Sequence, residues 1–348
     1  MTRLILTADD SAAGALRRSG LADLVVPILH RFAWGPLPSH AELSAYLAPR
    51  TMQRKGWHWL DHVSHRNIAA IGGRRQSFLE IVERCERVEL WIDNRPNDQL
   101  VLIWLLDALR DFPELATKIV LRYVDTPLFD ALPKQLATWT FVGVQLTREH
   151  LDVAGLAWRA FRAPTPQAWF DLLKQDLSAL PQLPRCVQEM LEELPGAMTG
   201  LGASELRMLE LLSAGYRQPF DLFPHARERF QRRVYDYWEA GALLDGLALA
   251  PVPAIAGLAE GPFTLELHDN PERFDRYQAS TLSLTPLGKA ILAGKEDFSR
   301  HNPIHRWWGG TELTNANLWR WGTVLIAPDS EAPDVIECRE PWRSIEHA

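Results

Sequence analysis

Long hydrophobic runs are missing from this chain. No apolar stretch approaches the roughly 18 residues that cross a bilayer, so no membrane partner is expected. Cysteine is scarce: Cys85, Cys186 and Cys338 are odd in number and far apart. That excludes a disulfide framework and a zinc knuckle, and it fits a reducing, cytoplasmic compartment. Asp9 and Asp10 interrupt the first apolar residues at once, so no secretory leader is expected. Positive charge is in deficit, with a formal net charge of -7, which argues against a broad nucleic-acid surface. Neither a Gly-x-Gly-x-x-Gly loop nor a Walker sequence is present, and there is no Gly-x-Ser-x-Gly elbow. No motif specifies a cofactor, a reaction or an oligomeric state.

What is present reads as a folded chain of two or three domains. The 348 residues are 47% hydrophobic and 23% charged, close to globular averages. The 14 tryptophans are mostly core anchors, with a few available for stacking.

The fold class is α/β: a mostly parallel Rossmann-like sheet at the N-terminus, then a helical region and a winged-helix-like α+β module. Residues 1–146 alternate strands with helices. Strands are expected at Leu4 to Thr7, Leu24 to Leu29, Val88 to Ile92 and Lys118 to Val124. Helices fall at Ala41 to Tyr46, Trp57 to Ile71 and Ser77 to Cys85, with an amphipathic one from Asp98 to Phe112. Residues 147–200 form a helical connecting region with helices at 147–160, 165–180 and 186–194. Residues 201–297 suggest the winged module. Ser204 caps its first helix, a second runs from Pro224 or His225 to Ala240 with Gly241 just past its end, and Thr281 to Leu284 is a strand. Residues 298–348 read as an aromatic clasp and a Pro- and Glu-rich tail. Trp307, Trp308, Trp319 and Trp321 are expected to pack back onto the chain.

Four clusters are candidates for chemistry. Asp9, Asp10, Ser11, Gly14, Asp93, Asn94, Asp98, Gln99 and Asp125 all lie just after expected strands, so a parallel sheet gathers them on one edge. Helix N-termini there favour a small anionic or nucleotide-like ligand, whereas the carboxylates suit a metal or a ribose-like hydroxyl. Simple capping is the bland alternative, and whether the edge catalyses or only binds stays open. His58, His62 and His65 would share one helix face and form a weak metal candidate; the preferred reading assigns them no metal. Arg227, Arg229, Arg232 and Arg233 lie on the would-be recognition helix. The alternative function follows from them: a regulatory or interaction protein contacting nucleic acid or a protein partner. Residues 201–297 carry 10 basic and 14 acidic side chains, which weakens the nucleic-acid version. The tryptophans of the tail are the last cluster.

Three segments together carry a family resemblance. They are Ala8 to Leu16 (Ala-Asp-Asp-Ser-Ala-Ala-Gly-Ala-Leu), Gly35-Pro36-Leu37-Pro38, and Leu90 to Leu100 (Leu-Trp-Ile-Asp-Asn-Arg-Pro-Asn-Asp-Gln-Leu). The chain resembles the bacterial family catalogued as domain of unknown function 1835 (DUF1835), best over the first 150 residues. Asp98-Gln99 matches the family pattern, while Asn94-Arg95-Pro96 stands where members carry an acidic-His-Asp stretch. The family has no assigned activity, so the resemblance implies kinship and no chemistry.

Overall fold

The computed structural model describes residues 2–50, 58–63, 67, 73, 75–124, 128, 132–224 and 234–328. The chain divides into two compact units. The first comprises 1–164 with 171–187, the second 165–170 with 188–348. The helical stretch 147–200 is therefore shared between them.

The first unit opens with β1 (Arg3–Thr7), α1 (Asp10–Ser19), β2 (Leu24–Pro27), α2 (His40–Leu47), α3 (Phe78–Arg84) and β3 (Arg87–Asp93). It continues with α4 (Pro96–Ala108), α5 (Pro113–Ala116), β4 (Ile119–Val124), α6 (Pro133–Leu136), β5 (Gly143–Gln145) and α7 (Arg148–Phe161). The strands form one sheet in the order β2-β1-β3-β4-β5. β1 to β4 are parallel and β5 is an antiparallel edge. Pro27 ends β2 on the other edge, where its missing N–H costs no ladder bond. Helix starts follow local chemistry. Asp9 caps α1 by accepting from the Ala12 N–H, while Ser39 with Glu42 and Ser77 with Glu80 form capping boxes on α2 and α3.

One face of the sheet packs Ile5, Val25 and Trp91 against the small side of α1, Ala12, Ala13 and Leu16. The expected amphipathic helix is in fact apolar all round. Every residue of α4 from Asp98 to Leu106 is buried, because α4 runs beside β3 and under α7. Each such Leu or Ile contributes roughly 1.5–3 kcal/mol through burial. The expected helix from Trp57 to Ile71 is corrected over 58–63, which form turns; residue 67 is helical and the rest of the stretch lies outside the described residues.

The two units also hold α8 (Gln167–Asp171) and α9 (Leu183–Glu192). A single helix over 165–180 does not form. The Asp176 side chain accepts from the Ser178 N–H at 2.9 Å, a local turn that competes with the helix.

The second unit contains α10 (Ala203–Ser213), α11 (Tyr237–Ala248), β6 (Ile255–Ala256), α12 (Leu265–His268), α13 (Pro271–Gln278), β7 (Ser283–Leu284) and α14 (Pro286–Leu292). α15 (Phe298–His301), the hairpin β8 (His305–Trp308) and β9 (Thr311–Thr314), and the pair β10 (Arg320–Trp321) and β11 (Leu325–Ile326) complete it. β6 and β7 pair antiparallel, so the strand expected near Thr281 to Leu284 exists in shortened form. Ser204 is not the cap of α10. Gly202 holds that position, and the Ser204 N–H and hydroxyl both donate to the buried Glu193 carboxyl.

Gly241 does not end a helix either. It lies inside α11, and a Cβ there would overlap the Phe263 ring. Gly241→Ala separates two effects of opposite sign. Helix propensity alone favours alanine by about 1 kcal/mol. Overlap in a packed core costs about 1–3 kcal/mol. The expected result in chemical denaturation is a net loss, and a stabilised variant would refute the packing account.

Trp308 is buried, and its indole N–H donates to the Met190 carbonyl at 2.7 Å. Its ring meets Trp169, and the Trp321 ring meets Phe170. Trp307, Trp319 and Trp321 are half-buried, so none of the four rings stands open. The Pro- and Glu-rich tail lies outside the described residues. No helix among the described residues is long and apolar enough to cross a membrane.

Candidate functional site

In the order β2-β1-β3-β4 the chain leaves β1 toward one edge and returns at β3 on its other side. The carboxyl ends of β1 and β3 therefore flank the point where strand order reverses, the usual ligand position in open parallel sheets. The register sets Thr7 beside Trp91. Two residues further along each chain stand Asp9 and Asp93.

Arg95 joins these two ends. Its Nε lies 3.1 Å from Asp93 Oδ2, and its Nη2 lies 3.3 Å from Asp9 Oδ2. The same Nη2 is 3.1 Å from Asp98 Oδ1. Asp93 also accepts the Arg95 backbone N–H at 2.9 Å, a local turn that fixes the strand-to-helix bend. Asp93, Arg95 and Asp98 are buried, and Asp9 is partly open to solvent.

The structure thus brings together Asp9, Asp93 and Asp98. Gln99 sits beside them, donating to the Asp93 carbonyl at 2.7 Å and to Gln182 Oε1 at 2.9 Å. Asn94 is half-buried between Asp93 and Arg95. Asp10 and Ser11 are exposed on the first turn of α1. Gly14 has no packing role that demands glycine, because an added Cβ would meet only the Arg18 side chain at 3.4 Å. Asp125 lies outside the described residues.

Sequence reasoning passed over Arg95 and Asn97. Asn97 donates to the His30 carbonyl and accepts the Ala33 N–H, which bolts the loop after β2 to the first turn of α4. His30 packs among Phe32, Tyr46 and Trp104, and burial lowers its pKa to about 4, so it is neutral. The available signal for Arg95 was its company: one cation two residues after Asp93 and three before Asp98.

The electrostatics are those of crowded acids around one base. Burial first, then Asp93 and Asp9, push Asp98 well above the usual carboxyl range, with Arg95 opposing. Three carboxyls cannot all ionise cheaply around one guanidinium, which favours the protonated form of Asp98.

The sign of the pH effect follows. A folded pKa above the unfolded one contributes stability that is complete below the unfolded value and is lost as pH rises through the folded one. Asp98→Asn keeps the shape and the donor but removes the titration. Its melting temperature is expected to fall less than that of the wild type as pH rises above the ordinary carboxyl range. Parallel curves over that range would show that Asp98 is not the proton holder.

The histidine candidate does not assemble. His58 Nδ1 accepts the Leu60 N–H and its Nε2 donates to the Ala48 carbonyl, so both ring nitrogens are used within the fold. His65 lies outside the described residues, as do Arg227, Arg229, Arg232 and Arg233. The described residues 234–236 are not helical, and α11 begins only at Tyr237. Among the described residues, no group of three or more His, Cys, Asp or Glu could hold a metal ion.

Fold and site define a mixed α/β protein built on a mostly parallel five-stranded sheet. No protein-family model matches the chain, and no curated protein matches it.

Proposed function

We propose that this chain is a ligand-binding protein that holds a small, polar, nucleotide-like molecule at the carboxyl edge between β1 and β3. The observation that carries this reading is the meeting of Asp9, Asp93, Arg95 and Asp98 at the point where strand order reverses. The chemistry suits a ligand with both kinds of group. Hydroxyls of a ribose-like ring donate to the carboxylates, and an anionic group meets the exposed first turn of α1. Thr7 Oγ1 and Gln99 Oε1, in buried residues at this end of the sheet, have no hydrogen-bond partner among the described residues. The kinship with the DUF1835 family belongs to the same reading, because two of the segments that carry it, Ala8 to Leu16 and Leu90 to Leu100, supply the residues of this edge. So does a reducing, cytoplasmic setting, supported by the separated cysteines.

The test is a thermal-shift screen against nucleotides, phosphorylated metabolites and divalent metals, repeated on Asp9→Asn. A ligand that raises the wild-type melting temperature, with a weakened response in the variant, supports the site. An equal response in both proteins places binding elsewhere.

For the second unit we propose a winged-helix-like module made of α10, α11, β6, β7 and α14. The antiparallel pairing of Ile255 with Leu284 supports it, as does the Thr285 cap that accepts from the Gly288 N–H.

A further inference from the structure

Along β1, β3 and β4, from Arg3 and Arg87 at the strand starts to Arg122 opposite Trp91, lies a basic cluster that the carboxyl-edge reading does not use. Glu89, in the middle of β3, is enclosed completely. Its Oε1 is 2.6 Å from Arg87 Nε and 2.9 Å from Arg3 Nη2. Its Oε2 is 2.8 Å from Arg122 Nε and accepts the Trp91 indole N–H at 2.9 Å. Burial alone would raise this carboxyl. Hydrogen bonds from Arg3, Arg122 and Trp91 outweigh burial and hold it at about 2, so it stays ionised.

One negative charge therefore meets three guanidiniums. Asp23 stands nearby and accepts the Arg3 backbone N–H at 2.7 Å, yet positive charge remains in excess even with Asp23 counted. Some donors are committed: Arg3 Nη1 to the Leu21 carbonyl and Arg122 Nη1 to the Phe141 carbonyl. Both Nη groups of Arg87 and the Nη2 of Arg122 take no acceptor among the described residues. The Arg87 side chain is 52% exposed, so its Nη groups face solvent, whereas Arg122 is largely covered. Glu89 acts as an orienting group, gathering the three forks on its two oxygens. A Cβ on Gly143 would overlap Val120 Cγ1 at 2.5 Å and approach Arg122 Nη1 to 3.3 Å.

We infer that Arg3, Arg87 and Arg122 form a second binding site, one that takes an oxyanion such as a phosphate or carboxylate group. Guanidinium forks match both groups, and a prearranged cluster loses less side-chain freedom on binding than three separate arginines. The site shares no residue with the carboxyl edge.

The experiment measures binding of inorganic phosphate and of acetate by calorimetry, each against chloride at matched ionic strength, on the full chain. Arg87→Gln is the variant, because its half-exposed side chain makes misfolding improbable; circular dichroism checks the fold. Phosphate or acetate is expected to bind above the chloride background, and the stronger of the two identifies the group. Arg87→Gln is expected to weaken it about tenfold or more, the effect of losing charge-assisted bonds. Heat effects no larger than those of chloride would overturn the inference. So would a folded Arg87→Gln that binds as tightly as the wild type.

Discussion

Arg95→Met is expected to lower the stability of the first unit by about 3–5 kcal/mol. The guanidinium is the counter-charge for Asp9, Asp93 and Asp98, within 3.3 Å of each. Methionine fills much of the volume and supplies no charge, so buried acids are left facing one another. In a unit of this size the loss lowers the melting temperature by roughly 10 °C. The deficit should grow with pH, because the remaining acids ionise without a partner. Arg95→Met combined with Asp98→Asn should recover part of the loss. A single variant within about 1 kcal/mol of the wild type in denaturation would show that the acids do not depend on Arg95.

The second large effect is expected at Trp308. Trp308→Ala should cost the second unit about 3–5 kcal/mol, from lost burial and the space left against Trp169. Trp308→Phe keeps an apolar ring but removes the donor to the Met190 carbonyl, at an expected cost of about 1–3 kcal/mol. Denaturation curves of the two variants order the contributions. If phenylalanine costs as much as alanine, the hydrogen bond and not the ring is what anchors the hairpin.

Much of the first unit is legible in the residues because its signals are local. Asp9 before Ala12, Ser39 before Glu42 and Thr147 before α7 each mark a helix start within four residues. Apolar runs at β1, β3 and β4 leave no other reading. Periodicity failed where burial is complete: from Leu100 to Leu106 both faces are apolar, so no stripe reveals which side meets the sheet. Gly241 misled because its packing against Phe263 is a contact 22 residues away along the chain. At the site, Asp9, Asp93, Asp98 and Gln99 were legible by position after strands. Arg95 was not, since its role depends on a bridge between β1 and β3 that spacing does not show. Glu89, a single charge inside the apolar run Val-Glu-Leu-Trp-Ile, was passed over.

The interleaving of the two units along the chain has a consequence for biosynthesis. Residues 165–170, which belong to the second unit, leave the ribosome before 171–187, which belong to the first. The first unit thus completes only after part of its neighbour has already emerged, although N-terminal domains ordinarily finish first during synthesis. A nascent chain stalled with residue 164 just outside the exit tunnel should lack Gln182, the partner of Gln99, and display an unfinished carboxyl edge. That edge is complete only once residues 171–187 have emerged as well.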